Sequence, residues 1–287
     1  MPKPLPSEDF RATRIVLEPD DFALGSEQKD PSPSDLIDAE TWHGIVTLPD
    51  DVAIRTSNHH GSVLKRQHDL WGAWLEIIGE EQDFLYTVML DANDELQAAI
   101  FNALHGYYRQ AISCFRNALE QVVIGAELQI YGDNGRFQLW ETGGIEIKFQ
   151  DACDRLAEVE SIRQLEGTLR KQLNDSIFDR KTSTLQGGWA RRLYGELSHY
   201  AHARPGFSSS DMWESNGPIY VTEALDLFTG LFTQTLKLNF LLIKLGRSAF
   251  SSPKAFAALL LATTGQDSVS DLIAKACFIA LFHTKSL

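Results

Sequence analysis

Between Val63 and Gly79, the apolar residues Leu64, Leu70, Trp71, Trp74, Leu75 and Ile78 recur mostly at three- and four-residue steps. That spacing returns side chains to one face of a helix and predicts a first helix here. A longer pattern follows through Leu85, Val88, Met89, Leu96, Ile100, Ala103, Tyr107, Ala111, Phe115, Ala118 and Val122. It predicts a long central helix over residues 94–130, with Asp91 or Asn93 as a capping break. After Tyr131 and Gly132 the period drops to two, because RFQLW and IEIKF alternate on either side of Glu141, Thr142, Gly143 and Gly144. Alternation around a glycine turn predicts a small β-hairpin over 136–149. Helical spacing returns over 150–173. A polar loop around Asp175 to Gly188 then separates it from a helix over 187–203, which must end near Arg204 because Pro205 disfavours α geometry in the residue before it. Residues 219–245 form a strongly apolar helix, and one or two short helices follow from Ser252.

Each of these helices carries an apolar stripe that needs a partner face, so the expected fold is all-α, an antiparallel helical bundle with a small β-hairpin insertion. Ahead of it, residues 1–60 are rich in Pro, Asp and Ser (EPDD, KDPSPSD, LPDD) with short apolar pieces such as RIVL and GIVTL. They predict an acidic, partly extended N-terminal arm. The expected organisation is therefore an arm over 1–60, a bundle over 61–250 and short C-terminal helices packing on it over 251–287.

Composition narrows the class. With 287 residues and 44% hydrophobic side chains, the chain can bury a sizeable core and lies far from the compositions that stay disordered. The formal charge of −13 is uneven. Residues 1–51 hold 12 acidic against 4 basic side chains, whereas 155–204 hold 9 basic against 6 acidic. A local basic face is thus the only footing for nucleic acid, against a whole-chain charge that disfavours broad affinity. Cys114, Cys153 and Cys277 are odd in number and widely spaced, which supports neither a disulfide framework nor a zinc site and fits a reducing cytoplasm. The start MPKPLPSEDF lacks the charged-then-apolar order of a secretory signal. The apolar runs AFAALLLA (255–262) and ACFIALF (276–282) fall short of the roughly 20 residues a bilayer span needs, so no membrane association is expected.

Candidate chemistry concentrates in RRLYGELSHYAHARPG, residues 191–206. Arg192 and His199 lie seven positions apart on one predicted helix, and Glu196 falls between them, so a cation, an acid and an imidazole share a face. A guanidinium can hold a phosphodiester bidentately while an imidazole near neutrality moves a proton to or from the reacting oxygens. The same spacing also describes an ordinary surface helix with an intrahelical ion pair. His59, His60 and His68 lack a carboxylate or cysteine at ligand spacing and read as solvated or capping residues, so neither a metal nor another cofactor is expected. Tyr107 and Tyr108 have the spacing of core aromatics, with base stacking the less common alternative.

The order of NALHGYYRQAISCFRNALEQVVIGAEL (102–128), a charged helix, RRLYGELSHYAH and a long apolar helix resembles the HEPN superfamily of helical bundles. Its signature is Arg, four to six intervening residues, and His; Arg192 and His199 match it with six between them. The resemblance covers roughly residues 90–246, and the chain departs from the family's habit of a polar residue after the arginine by having Leu193. YGELSHYAH also resembles a Tyr-x-x-Leu-Ser-x-x-x-His pattern of helical bacterial proteins. That pattern ends on His202, which leaves both His199 and His202 as candidates for the working histidine. The resemblance implies metal-independent RNA cleavage by a homodimer with the motifs side by side, in phage defence or beside an antitoxin. The competing expectation is a non-catalytic helical module for protein–protein interaction, with Arg192 and His199 structural. A metal-dependent hydrolase ranks last, for want of carboxylate and histidine clusters.

Overall fold

The computed structural model describes residues 37–79, 83–180, 182, 187–201, 218–247, 254 and 269–282, and the regular structure among them is all helical. The helices are α1 (Ala39–Ile78), α2 (Phe84–Leu104), α3 (Tyr108–Tyr131), α4 (Asn134–Glu141), α5 (Phe149–Glu158), α6 (Glu160–Leu173), α7 (Trp189–Ala201), α8 (Thr222–Gly246) and α9 (Val269–Phe282). By contacts the chain divides into two units, Met1–Ile45 and Val46–Leu287. Of the first, residues 37–45 are described, and there the Asp38 carboxylate accepts the Thr41 amide at 2.6 Å and starts α1. The second unit holds the bundle. Among the described residues no helix is long and apolar enough to cross a membrane.

Helix α1 begins at Ala39, well before Val63, so the stretch 39–60 is helical where an extended arm was expected. Val52 and Thr56, one turn apart, are the buried positions of 39–60, and the Thr56 hydroxyl donates to the Val52 carbonyl at 2.8 Å. Helical geometry lapses at His60, with φ −130° and ψ 16°.

The long central helix is two helices. Gly106 adopts φ +80°, and a Cβ there would lie 2.3 Å from the Ile219 carbonyl oxygen, so backbone packs on backbone at a place only glycine permits. The chain reverses across His105–Tyr107, and α2 and α3 run antiparallel. Their register is visible in two places: Gly125 sits against Val88, where a Cβ would come within 2.8 Å of the valine Cγ2, and Glu95 meets Asn117 at 3.1 Å. The apolar periodicity passes straight through this turn because both helices present the same kind of face to the core, and periodicity alone cannot register a reversal.

The expected β-hairpin over 136–149 is absent. RFQLW is the body of α4, and IEIKF leads without strand geometry into α5. Asp133 caps α4 by accepting the Arg136 amide at 3.2 Å. Phe137 stacks on Phe84 at 4.5 Å, while Leu139, which an alternating strand would bury beside it, is exposed. Phe137 and Trp140, three apart, meet edge to face at 6.1 Å, the neighbour relation of a helix and not of a strand. A further anchor is the buried Glu127, whose carboxylate takes Arg136 at 2.7 Å and Arg155 at 2.9 Å. The segment 150–173 is likewise split, into α5 and α6, at Val159 (φ −65°, ψ 126°).

Helix α8 lies against α3 and is buried along most of its length. Phe228 and Phe232 pack on Phe115 at 5.1 and 5.4 Å, and Phe240 meets the edge of Trp74, whose indole N–H donates to the Met89 carbonyl at 3.2 Å. Rings of this size each remove on the order of 150–250 Å² of surface from water and so help drive the bundle closed. At the end of α8, Arg247 forks onto Asp83 at 2.6 and 2.8 Å and donates to the Ile78 carbonyl at 3.1 Å. One guanidinium therefore ties the end of α8 to the end of α1 and to the residue that caps α2.

Candidate functional site

Helix α7 carries the motif, and it is held at its start by an unusual docking. The segment Ser176–Asp179 runs past it so that Gly188, Trp189 and Ala190 donate to the carbonyls of Asp179, Ser176 and Ile177 at 2.8–2.9 Å. These amides would otherwise be orphan donors of a helix N-terminus. The approach is so close that a Cβ on Gly188 would lie 2.4 Å from the Ile177 carbonyl oxygen. On its other side the segment is gripped by Glu166, which is 2% exposed and accepts the amides of Ile177 at 3.0 Å and Phe178 at 2.8 Å.

Arg192 belongs to this docking. Its Nη1 and Nη2 fork onto the two oxygens of Asp175, both at 2.9 Å, and Nη1 also donates to the Gly187 carbonyl. A guanidinium so engaged has its fork already filled by a carboxylate, and its side chain is 27% exposed. Arg191, its neighbour, donates to the Phe178 carbonyl at 2.8 Å and pairs with Asp154 at 2.6 Å. Glu196 and His199 follow Arg192 along the same stripe and both are exposed, whereas Leu193 and Leu197 point into the core. The three residues share a face as their spacing requires. His202 lies outside the described residues.

The residue of the motif that the helix drives furthest into chemistry-bearing surroundings is Tyr194, to which the sequence reading gave no role. Its ring stacks on Phe149 at 3.8 Å with planes 7° apart, and the Arg116 guanidinium lies 4.8 Å over its face. The hydroxyl donates to Glu120 at 3.0 Å and accepts from Arg116, which itself pairs with Glu120 at 3.1 Å. Burial, and then the Glu120 charge, push the phenol up to about 12, so it stays protonated and works as a strut. The four-residue step from Arg116 to Glu120 was the available sequence signal; the closure onto Tyr194 required α3 and α7 to pack.

The remaining sequence candidates fall elsewhere. Tyr108 is fully buried and its hydroxyl accepts the Val221 amide at 3.2 Å, which makes it core and removes it as a stacking platform. His60 and Tyr220 share a hydrogen bond of 3.2 Å at the α1 break, with Arg55 4.7 Å over the same tyrosine ring. Burial pushes the thiols of Cys114 and Cys153 up to about 12, so both stay protonated and unreactive near neutral pH.

Comparison with protein-family models, with curated proteins and with solved structures finds no match for this chain. Against an RNA-binding face stands the pairing of the arginines over 155–192. Arg155 meets Glu127, Arg163 meets Glu160, Arg170 meets Asp179, Arg180 and Arg191 meet Asp154, and Arg192 meets Asp175. Of these pairs, all but the exposed Arg163–Glu160 hold separate helices or the loop together.

The carboxylates in and around the Ser176–Asp179 segment give it a pH signature. The Arg170 hydrogen bond first of all holds Asp179 below its ordinary 3.8, and that of Arg180 does the same for Asp154. Groups depressed in the folded state stabilise it above 3.8 and lose that contribution as pH falls through their folded values. Glu166 goes the other way: burial raises it above 4.5 in spite of the two amides, so its contribution is present below 4.5 and lost as pH rises through its folded value. Stability should accordingly climb as pH falls from neutrality towards about 4.5, then decline below about 3.8. The climb should be reduced in Glu166→Gln. Urea midpoints measured across pH 3–8 check this, and equal climbs in both proteins would refute the assignment to Glu166.

Proposed function

We propose that this protein is a non-catalytic helical module for protein–protein interaction, in which the Arg192 motif is a structural clamp. The observation that carries the reading is the bidentate Arg192–Asp175 pair with its added bond to the Gly187 carbonyl, which commits the guanidinium donors of the motif to Asp175 and Gly187. The pairing of the neighbouring arginines with carboxylates, and a net charge of −13, support the same conclusion.

A second reading, a HEPN-like metal-independent endoribonuclease acting as a homodimer beside an antitoxin or in phage defence, is favoured by one specific feature. Glu196 and His199 are exposed on the face that Arg192 shares. In that reading His199 moves the proton and Arg192 leaves Asp175 for the phosphate.

The two are separated by incubating the purified chain, His199→Ala and Arg192→Ala with a panel of structured and single-stranded RNAs, with chelator present throughout. The module reading expects no cleavage above background by any of the three. It also expects faster hydrogen exchange at Ile177, Phe178 and Trp189 in Arg192→Ala, because the loop has lost its tie. Cleavage by the wild type that His199→Ala abolishes would overturn it.

A further inference from the structure

Tyr220 is a post set in the bundle. The residue before it, Ile219, lies with its backbone against Gly106, and the amide of the residue after it, Val221, donates to the buried Tyr108 hydroxyl at 3.2 Å. Against this post leans the outer part of α1. The Tyr220 hydroxyl and His60 Nδ1 share a hydrogen bond of 3.2 Å, and the rings of His59 and His60 lie 5.6 and 5.8 Å from the tyrosine ring. The Arg55 guanidinium sits 4.7 Å over the same ring. Arg55 and His59 are exposed, and His60 and Tyr220 are half-buried. His60 is also where α1 leaves helical geometry, so the stretch before it has an axis of its own. Apart from the contacts with Tyr220, that stretch buries Val52 and Thr56, whereas Leu64, Leu70, Trp74 and Ile77 fasten α1 beyond the break.

We propose that Tyr220, Arg55, His59 and His60 form a pH-sensitive latch, which holds residues 46–59 of α1 to the bundle near neutral pH and releases them in mild acid. Imidazole is the side chain whose charge ordinarily changes between about pH 5 and 8. With both rings neutral, Arg55 supplies the positive charge at the tyrosine, and its contact with the ring is favourable. Protonating both rings adds three like-charge pairs, Arg55 with each imidazole and the imidazoles with each other, against two further cation–π contacts. At this range repulsion between full charges outweighs attraction to a ring. The hydrogen bond itself does not decide the matter, because the Tyr220 oxygen accepts from a protonated Nδ1 as the hydroxyl donates to a neutral one. Among the described residues no carboxylate pairs with the cluster. Asp51, one turn before Arg55, and Glu223, in the first turn of α8, are the nearest acids along the two segments, and both are exposed. The α2–α3 turn contributes His105, which is bonded to the Phe101 carbonyl, and Tyr108, a phenol that burial pushes up and keeps neutral. The latched form therefore binds fewer protons than the released one, and by linkage it weakens as pH falls.

The test is amide hydrogen exchange of the full-length protein at about pH 7.5 and pH 5.5, corrected for the intrinsic pH dependence of exchange and read by peptide mass. Protection over residues 46–59 should fall at least about tenfold at the lower pH, while that over 64–78 stays within about twofold. The double variant His59→Gln, His60→Gln should keep its protection at both pH values. Arg55→Gln, at an exposed position, should fall by less than about threefold, because the imidazoles no longer gain their charge beside a fixed cation. Salt at about 1 M, which shortens the screening length to about 3 Å, should blunt the wild-type fall. Unchanged protection of 46–59 in the wild type, an equal fall in the double variant, or a fall that salt leaves intact would each overturn the proposal. An equal fall in Arg55→Gln is the refuting result if the double variant does not fold. A fall that spreads through 64–78 also overturns it, since that reports a general loss of stability and not the release of one segment.

Discussion

Gly106→Ala is expected to destabilise the protein by about 3–5 kcal/mol, enough to unfold most of a marginal domain at 37 °C. Two effects add. The φ of +80° is one that residues with a Cβ adopt at a cost of roughly 1–3 kcal/mol, and the methyl group would come within 2.3 Å of the Ile219 carbonyl oxygen and 2.5 Å of its amide nitrogen. Neither neighbour is a side chain that can swing away; both are backbone of the segment leading into α8, which is pinned by the bond from the Val221 amide to Tyr108. Relief therefore requires α8 to move off α3, taking Phe228 and Phe232 away from Phe115. Urea denaturation of the variant and wild type decides the matter, and a loss under about 1 kcal/mol would show that the α2–α3 turn is not closed in the way described. Gly132→Ala supplies the control: it has φ +63° with open space around its Cβ, so it should lose only about 1 kcal/mol for the left-handed conformation.

Arg247→Met should lose about 3–5 kcal/mol, with the loss concentrated where three helix ends meet. The arginine side chain is 6% exposed, and its removal strands both the Asp83 carboxylate and the carbonyl oxygens of Ile77 and Ile78. Methionine fills much of the volume, so most of the loss comes from unsatisfied polar groups and little from a cavity. A double-mutant cycle with Asp83→Asn separates these contributions: the pair should show a coupling of roughly 1–3 kcal/mol, since contacting charged groups are strongly non-additive. Additive losses would mean that Arg247 acts through the two carbonyls alone. Asp83 also caps α2 by accepting the Tyr86 amide at 2.9 Å, and asparagine retains that function, which is why it is the better partner substitution than alanine.

The motif at 191–206 shows how far spacing can be trusted. Seven residues on a helix do bring Arg192 and His199 to one face, with Glu196 between them, because helix geometry is local. What the face does is not local. Arg192 is claimed by Asp175 from a loop that Glu166 holds in place, and no residue of α7 announces either partner. The same holds for Tyr194, whose stack on Phe149 and bonds to Arg116 and Glu120 unite three helices.

By itself the sequence determined that this chain is helical and where most of its apolar faces lie, because a 3.6-residue repeat is written in consecutive residues and needs no distant partner to be read. It placed α7 and α8 within a few residues and put Leu96, Phe115 and Val122 in the core, where they are found fully buried. Only the tertiary structure decided the reversals and the breaks. Gly106 turns the chain because Ile219 passes beside it, and RFQLW coils because Phe84 and Glu127 are there to receive Phe137 and Arg136. A five-residue alternation is equally compatible with a strand and a helical turn, and the choice falls to whichever conformation lets the surrounding helices bury its rings and satisfy its charges.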